Sequence, residues 1–537
     1  MGRVDMREQT GQKYPGFRGR IWLVAAMLLF FSVMSLSAIT TTSATFDEVQ
    51  NFGIGKYLLL TQRWDVMGSI VHPPIGFYLT SLPLLFVKDN DSLWQYEEQK
   101  RDLFFLGGVD VVRGQGLLSA PENANDRLLI SIRLTVLVLA LVLGWYIYLL
   151  SREFYGESGA ILSLALYTFC PNMLAYSGIA TQDLPLAAFS FLAAYQYWQF
   201  LQHQSLAKAL IAGSVLGLAI ATKFTALLLV PFLLLAYVIY QARYKRAVSA
   251  QPLVVILAAG LVLLLSFGGQ IKPLLQAFEL LQLEMAAGQS AFFHGELANH
   301  GWWNFYPAVL LIKTPLPILV LLFAALVMAV QRFRSDWFGT VFLVTPVIGL
   351  LLVCSASNFA IGTRYLLPIY PFIFVLCGSL TKYRAKGQLA IFGMICWLMV
   401  GTLFITPHYL SYFNELVGGA ANGYRYLVDS NLDWGQDLKL LKRYMVDSGT
   451  KRISLSYFGA DSPQRYGIEY DWLPSHYLSN PEPDKAVMLT QNQPVVISAT
   501  NLQGVYLQNP DEFKWFRGRQ PIARIGYSMF VYDLNRQ

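Results

Sequence analysis

Asp47 and Glu48 form an acidic pair directly after the first long apolar stretch, and His72-Pro73-Pro74 follows before the second. Carboxylates at a membrane boundary are costly to desolvate, which marks such a pair as a functional candidate. An ionised Asp47 suits general-base work: it would take the proton of a hydroxyl acceptor brought within hydrogen-bond reach. The alternative is that the two acids only mark where a helix leaves the bilayer. His72 can donate a hydrogen bond to a phosphate or a hydroxyl. Asp183, in Thr181-Gln182-Asp183-Leu184-Pro185, is a second acid between apolar runs and equally a good helix N-cap. Three cations accompany these acids: Arg133 near the start of the second long apolar run, Lys223 inside a long one, and Arg364 in Gly362-Thr363-Arg364-Tyr365. Each could be a snorkelling side chain and nothing more. Converging with carboxylates on one membrane face, they suit an anionic lipid headgroup, whose phosphate oxygens Arg grips bidentately.

The elements that must position these residues are membrane helices. A chain of 537 residues that is 55% hydrophobic and 14% charged, with mean hydropathy +0.43, lacks the polar surface to cover a soluble globule. The net charge of +7 does not point to nucleic acid, because most Lys and Arg fall in short loops between apolar runs, where they set orientation. Cys170, Cys354, Cys377 and Cys396 lie in or at the ends of apolar segments, as free thiols behaving like small hydrophobes. Neither a disulfide nor a structural zinc is expected. The polar N-terminus runs into an apolar stretch without a small-residue cleavage site and reads as a retained helix.

Runs long enough to span lie near residues 21–42, 128–150, 159–178, 184–201, 251–267, 308–330, 338–354, 366–380 and 388–406. One helix over 208–241 would be about 50 Å long at 1.5 Å per residue, so it divides into two spans at Lys223. The total is about eleven transmembrane helices. The apolar segment 74–87 is too short to cross and reads as an interfacial or re-entrant helix with prolines in its first turn. Arg243, Lys245, Arg246, Arg332, Arg334, Lys382, Arg384 and Lys386 then share a side with the basic tail of Arg3, Arg7, Lys13, Arg18 and Arg20. By the positive-inside rule that side is cytoplasmic. The opposite face receives the loop 43–127, Gln182-Asp183, Lys223, the loop 268–307, the segment 358–365 and everything beyond residue 407.

After residue 407 the long apolar runs give way to turn residues and short alternating stretches. A helix over 433–444 and strands over 452–457, 495–499 and 528–532 suggest a small α/β domain. Asp429, Asp433 and Asp437 recur every four residues and would share one helix face, more simply a solvated face than a binding site. His294, Glu296 and His300 carry ligand-type side chains without helical metal spacing. A divalent cation at His294 and Glu296 is therefore the minor alternative to plain loop histidines. Trp302, Trp303, Phe305 and Tyr306 read as an interfacial belt.

Taken in order, Phe46-Asp47-Glu48, His72-Pro73-Pro74, Arg133-Leu134, Thr181-Gln182-Asp183-Leu184-Pro185-Leu186, Ala221-Thr222-Lys223-Phe224 and Arg364-Tyr365-Leu366-Leu367-Pro368 resemble blocks of a known group. It contains the dolichyl-phosphate-mannose protein O-mannosyltransferases, their bacterial relatives and the lipid A aminoarabinose transferase. Lys313-Thr314-Pro315-Leu316-Pro317 is a looser match, and the likeness covers roughly residues 20–410. The resemblance implies a GT-C fold: an all-α polytopic bundle, here with a small C-terminal extracytoplasmic α/β domain. It divides the chain into a cytoplasmic tail (1–20), a glycosyltransferase module (21–406) and a C-terminal domain (407–537). It implies a polyprenyl-phosphate-linked sugar as donor, Asp47 as catalytic base, and Glu48 and Asp183 completing the polar site. Arg133, Lys223 and Arg364, with Tyr365 and His72 beside them, would hold the donor phosphate.

The chain departs from the aminoarabinose transferase, which has Glu-Lys-Pro-Pro where Val71-His72-Pro73-Pro74 stands. No loop is long enough for the β-trefoil of the eukaryotic mannosyltransferases. The expected activity is transfer of a sugar, with inversion, to a hydroxyl of a protein, lipid or glycan, by a multi-pass plasma (inner) membrane enzyme among membrane lipids. The competing reading is a transporter or flippase of a lipid-linked sugar or small anion, whose paired halves the sequence lacks.

Overall fold

The computed structural model describes residues 17–64, 72–86, 103–331, 333–382, 385–476 and 493–536. The basic residues Arg3, Arg7, Lys13, Arg332 and Arg384, and residues 65–71 and 87–102 of the loop 43–127, lie outside them. The first span is α1 (Phe17–Thr41), and after four residues the chain enters α2 (Phe46–Thr61). Thr45 and Glu48 close a capping box at the start of α2. The segment from Pro74 forms α3 (Ile75–Ser81) and a 3-10 turn, too short to cross a bilayer, and α4 (Leu103–Ser119) packs along α2.

The next helix, α5 (Arg127–Thr168), is interrupted at Gly156, whose φ of +74 lets the chain reverse. Hydrogen bonds from Tyr167 to Ala140 and between Ser151 and Ser163 join the two arms. The bundle continues through α6 (Pro171–Ser177), α7 (Asp183–His203), α8 (Leu206–Thr222), α9 (Leu229–Tyr244) and α10 (Gln251–Ser266). Then come α11 (Ile271–Ala287), the hairpin β1 (Ala291–Phe293) and β2 (Glu296–Ala298), α12 (Phe305–Lys313), α13 (Leu316–Gln331) and α14 (Phe333–Ser355). The membrane part closes with α15 (Thr363–Leu366), α16 (Tyr370–Gly378) and α17 (Ala385–Ile405).

Among the described residues, six helices are long and apolar enough to span, or eight if each bent pair counts once. That count, made on length and composition, takes the doubled-back α5 as one helix and does not reproduce the expected eleven. The run 308–330 is two helices, α12 and α13, meeting at 113°, and α10 turns 96° into α11. Lys223 does divide the long run: it is the extended residue between α8 and α9's leading turn.

Beyond α17 lie α18 (Ala420–Gly423), α19 (Leu438–Asp447) and five strands. These are β3 (Arg452–Ser456), β4 (Glu469–Trp472), β5 (Val495–Ser498), β6 (Ala523–Ile525) and β7 (Met529–Tyr532), in the order β4-β3-β5-β7-β6. The expected strands 452–457, 495–499 and 528–532 are all present, and the short edges β4 and β6 are additions. Leu438, Leu441 and Met445 of α19 cover one sheet face through Leu455, Val496 and Val531, while Val495, Ile497, Phe530 and Tyr532 join the core of the bundle. Asp126, just ahead of α5, pairs with Lys439 at 2.6 Å and with Arg465, which fastens this layer down.

One interaction fixes α2. The Arg133 guanidinium gives Nε and Nη2 to the two Glu48 oxygens, each at 2.8 Å, and its remaining donors to the carbonyls of Ile39, Thr42 and Ser43. Glu48 also accepts the backbone N–H groups of Thr45 and Ala180. Burial raises the Glu48 carboxyl, but Arg133 and these donors outweigh it and hold it below its ordinary value.

The acids expected on a solvated helix face are not there. Asp433 and Asp437 are buried ahead of α19, where Gly435 at φ +87 breaks any helix. Asp433 accepts the Thr500 N–H and Asp437 the Ser528 hydroxyl, and each keeps one buried oxygen without a partner. Burial pushes the two carboxyls up to about 7 and about 8.

Two outcomes follow. Glu48→Gln strands the Arg133 charge and should cost about 3–5 kcal/mol, seen as a lower unfolding midpoint in detergent; an unchanged midpoint would remove the pair from its structural role. The folded protein keeps protons on Asp433 and Asp437 that the unfolded chain releases above about pH 4. Stability should therefore fall as pH rises toward 8, and Asp437→Asn should flatten that decline in melts taken between pH 6 and 9.

Candidate active site

Asp47 follows the capped first residue of α2 and Arg364 lies in the single turn of α15. Their side chains meet at 2.6 Å between Oδ2 and Nη1. Asp183 opens α7 and pairs with Lys223 at 3.0 Å, while Thr181 donates its hydroxyl to the other Asp183 oxygen. The Lys223 ammonium lies 4.4 Å from the centre of the Tyr365 ring, next to Arg364 in sequence. Four segments far apart in the chain thus bring Asp47, Asp183, Lys223, Arg364 and Tyr365 into one polar cluster. His72 stands in the turn before α3, and Gly76 of α3 abuts the side chains of Gln182 and Thr222, neighbours of Asp183 and Lys223. That contact sets the His72-Pro73-Pro74 segment beside the cluster.

The acids differ in access. The Asp47 side chain is 27% exposed, against 0% for Glu48 and 3% for Asp183. Arg364 is partly open, with a buried Nε that has no protein partner. Arg133, expected at the donor phosphate, is instead enclosed and committed to Glu48 and three backbone carbonyls. A guanidinium so occupied has no donor to offer a ligand, so Arg133 and Glu48 position the site from within.

Asp429 joins the cluster from beyond α18. Its carboxylate accepts the Tyr506 hydroxyl at 2.5 Å, and Gln289 donates to that same hydroxyl at 3.1 Å. Burial raises the Asp429 carboxyl above its ordinary value, against the Tyr506 hydrogen bond and the Arg364 charge. Asp47 pushes it up further, so the two carboxylates sense one another. The fourfold spacing of the C-terminal acids concealed this role. Its one local signal is the left-handed backbone of Asp429, with φ +56.

Among the described residues no three His, Cys, Asp or Glu side chains come together as a metal set. His294 stacks on Tyr426 at 5.2 Å, and Glu296 is exposed in β2. Trp302 and Phe305 pack with Phe293 in an aromatic cluster below the hairpin. The four cysteines are free.

Residues 125–267 match the family model described as Dolichyl-phosphate-mannose-protein mannosyltransferase. No curated protein matches the chain. Among solved structures, ArnT from Cupriavidus metallidurans bound to undecaprenyl phosphate is similar over 96% of this chain and 98% of its own, at 12% identity and TM-score 0.50. The same protein in the apo state gives 13% identity over 96% and 97%, with TM-score 0.49. The Archaeoglobus fulgidus oligosaccharyltransferase matches over 71% of this chain and 51% of its own, at 13% identity and TM-score 0.39. The family match and the fold shared with ArnT bear out the resemblance to the GT-C glycosyltransferases of this group.

The two ion pairs should respond differently to loss of their cation. Lys223→Met leaves Asp183 charged in a nearly dry site, at a cost of about 3–5 kcal/mol. Arg364→Met leaves the wetter Asp47 and should cost less than half of that. Equal shifts of the unfolding midpoint in detergent would show that burial does not separate the two.

Proposed function

We propose that this chain is a membrane glycosyltransferase that moves a sugar from a polyprenyl phosphate to a hydroxyl of a protein, lipid or glycan, with inversion at the anomeric carbon. The N-terminus is cytoplasmic, and the active site and residues 407–537 face outward across the plasma membrane. The observation that carries this reading is the Asp47–Arg364 pair: the most accessible of the three expected acids touches a cation suited to phosphate.

The donor phosphate binds Arg364 and Lys223, with Tyr365 and His72 at its edge. An incoming phosphodiester replaces Asp47 on the guanidinium, its single negative charge shared over two oxygens that the Arg364 fork can grip together. Asp47 is then free to accept a proton. The acceptor oxygen attacks the anomeric carbon, the carbon–oxygen bond to phosphate breaks, and the acceptor proton passes to Asp47. Polyprenyl phosphate departs with its new negative charge stabilised by Arg364 and Lys223. Asp183 keeps Lys223 charged and aimed, while Glu48 and Arg133 hold α2 in register.

A transporter would use similar charges along its path, so the assay belongs in detergent, where transport has no meaning. Purified protein is incubated with radiolabelled polyprenyl-phosphate sugars and a membrane extract as acceptor source. Asp47→Asn should lower transfer by at least about 10²-fold with an unchanged unfolding profile. Arg364→Ala should weaken binding of undecaprenyl phosphate by about tenfold or more. Wild-type turnover in Asp47→Asn would end the assignment of the base, and no transfer by the wild type from any donor would favour the transporter.

A further inference from the structure

The elements carrying Asp47 and Arg364 meet through that ion pair, and residues 431–438 grip both. On one side, the Asn431 amide oxygen accepts the Thr363 N–H at 2.9 Å and its nitrogen donates to the Ile361 carbonyl at 2.8 Å. A Cβ on Gly362, whose φ is +122, would collide with that same amide, so the turn before Arg364 is moulded on Asn431. The Lys313 ammonium fixes the Asn431 carbonyl at 2.6 Å. On the other side, the Trp434 carbonyl accepts the Phe46 N–H at 2.8 Å, one residue before Asp47. The Gln436 carbonyl accepts the Ser43 N–H at 2.8 Å, and the Ser43 hydroxyl links the Gly435 carbonyl to the Leu438 N–H. The buried Trp434 ring lies 4.9 Å from the Arg364 guanidinium carbon. Trp434 therefore holds the residue before Asp47 through its backbone and the Arg364 guanidinium through its ring.

We infer that residues 431–438 set the spacing of the base and the phosphate-binding cation, with Trp434 as the positioning residue that couples them. The inference rests on the roles proposed for Asp47 and Arg364. The indole face favours a guanidinium lying flat against it, which leaves the guanidinium edge to address Asp47 in the resting site and the donor phosphate in the loaded one. A neutral ring does this without competing for the phosphate, as a carboxylate in its place would.

The test uses the full-length protein in detergent, with hydrogen exchange read by mass spectrometry and undecaprenyl phosphate as the binding probe. In Trp434→Leu, exchange should rise about tenfold in segments 43–48 and 361–366, with strands β3, β5 and β7 unaffected, and the Kd for undecaprenyl phosphate should rise about fivefold, in the range lost with one cation–π contact. Trp434→Phe keeps a weaker ring face and should shift both readouts in the same direction by roughly two- to threefold; it decides the matter alone if the leucine variant does not fold. Unchanged exchange in those segments, or a rise spread evenly over the sheet, overturns the inference. If the wild type fails to bind undecaprenyl phosphate, the proposed donor is refuted, while the exchange result still judges whether Trp434 couples the two segments.

Discussion

The Arg133–Glu48 ion pair is the constraint on which the site depends. In its buried setting water does not replace either partner, so removing one leaves a bare charge. Through it the end of α1, the cap of α2, the start of α5 and the loop before Asp183 share a single point of attachment. Successive helix residues are turned by about 100° from one another. With Glu48 anchored inward, its neighbour Asp47 is directed to the open side of α2, where it meets Arg364.

The charges of this protein therefore fall into two layers. Arg133, Glu48, Asp183 and Lys223 are buried and mutually satisfied, and they define where backbone segments lie. Asp47 and Arg364 stand above them, partly open, in an arrangement that a competing anion can rearrange at small cost. On the proposed function, this buried layer keeps the site in one shape while the phosphate that meets Arg364 and Lys223 comes and goes.

Much of this was legible in the sequence because the relevant patterns are local. Phe46-Asp47-Glu48, Asp183 after Thr181-Gln182, Lys223 in a long apolar run and Arg364-Tyr365 each show as short departures from apolar surroundings, and the fold gathers them. The role of Arg133 was not legible, since a cation at a span's end looks the same whether it faces a ligand or a buried carboxylate. The helix directions were missed because apolar content carries no information about a bend. Residues 431–438 escaped because they act through backbone carbonyls and one Asn, which leave no charge pattern. The spacing of Asp429, Asp433 and Asp437 imitated a helix that Gly435 forbids. Trp434 beside that glycine was the available clue, a large side chain in a segment otherwise built for turns.

The bond from Ser43 to Gly435 spans 392 residues. A membrane chain is inserted from its N-terminus, so α1, α2 and every bundle helix are in place before residues 431–438 have been synthesised. The pocket is then assembled without its clasp, and Asp47 and Arg364 acquire their final spacing only once residues 431–438 have been made. A product that stops just short of residue 431 would keep Asp47, Asp183, Lys223 and Arg364 and still lack the segment that grips the elements carrying Asp47 and Arg364.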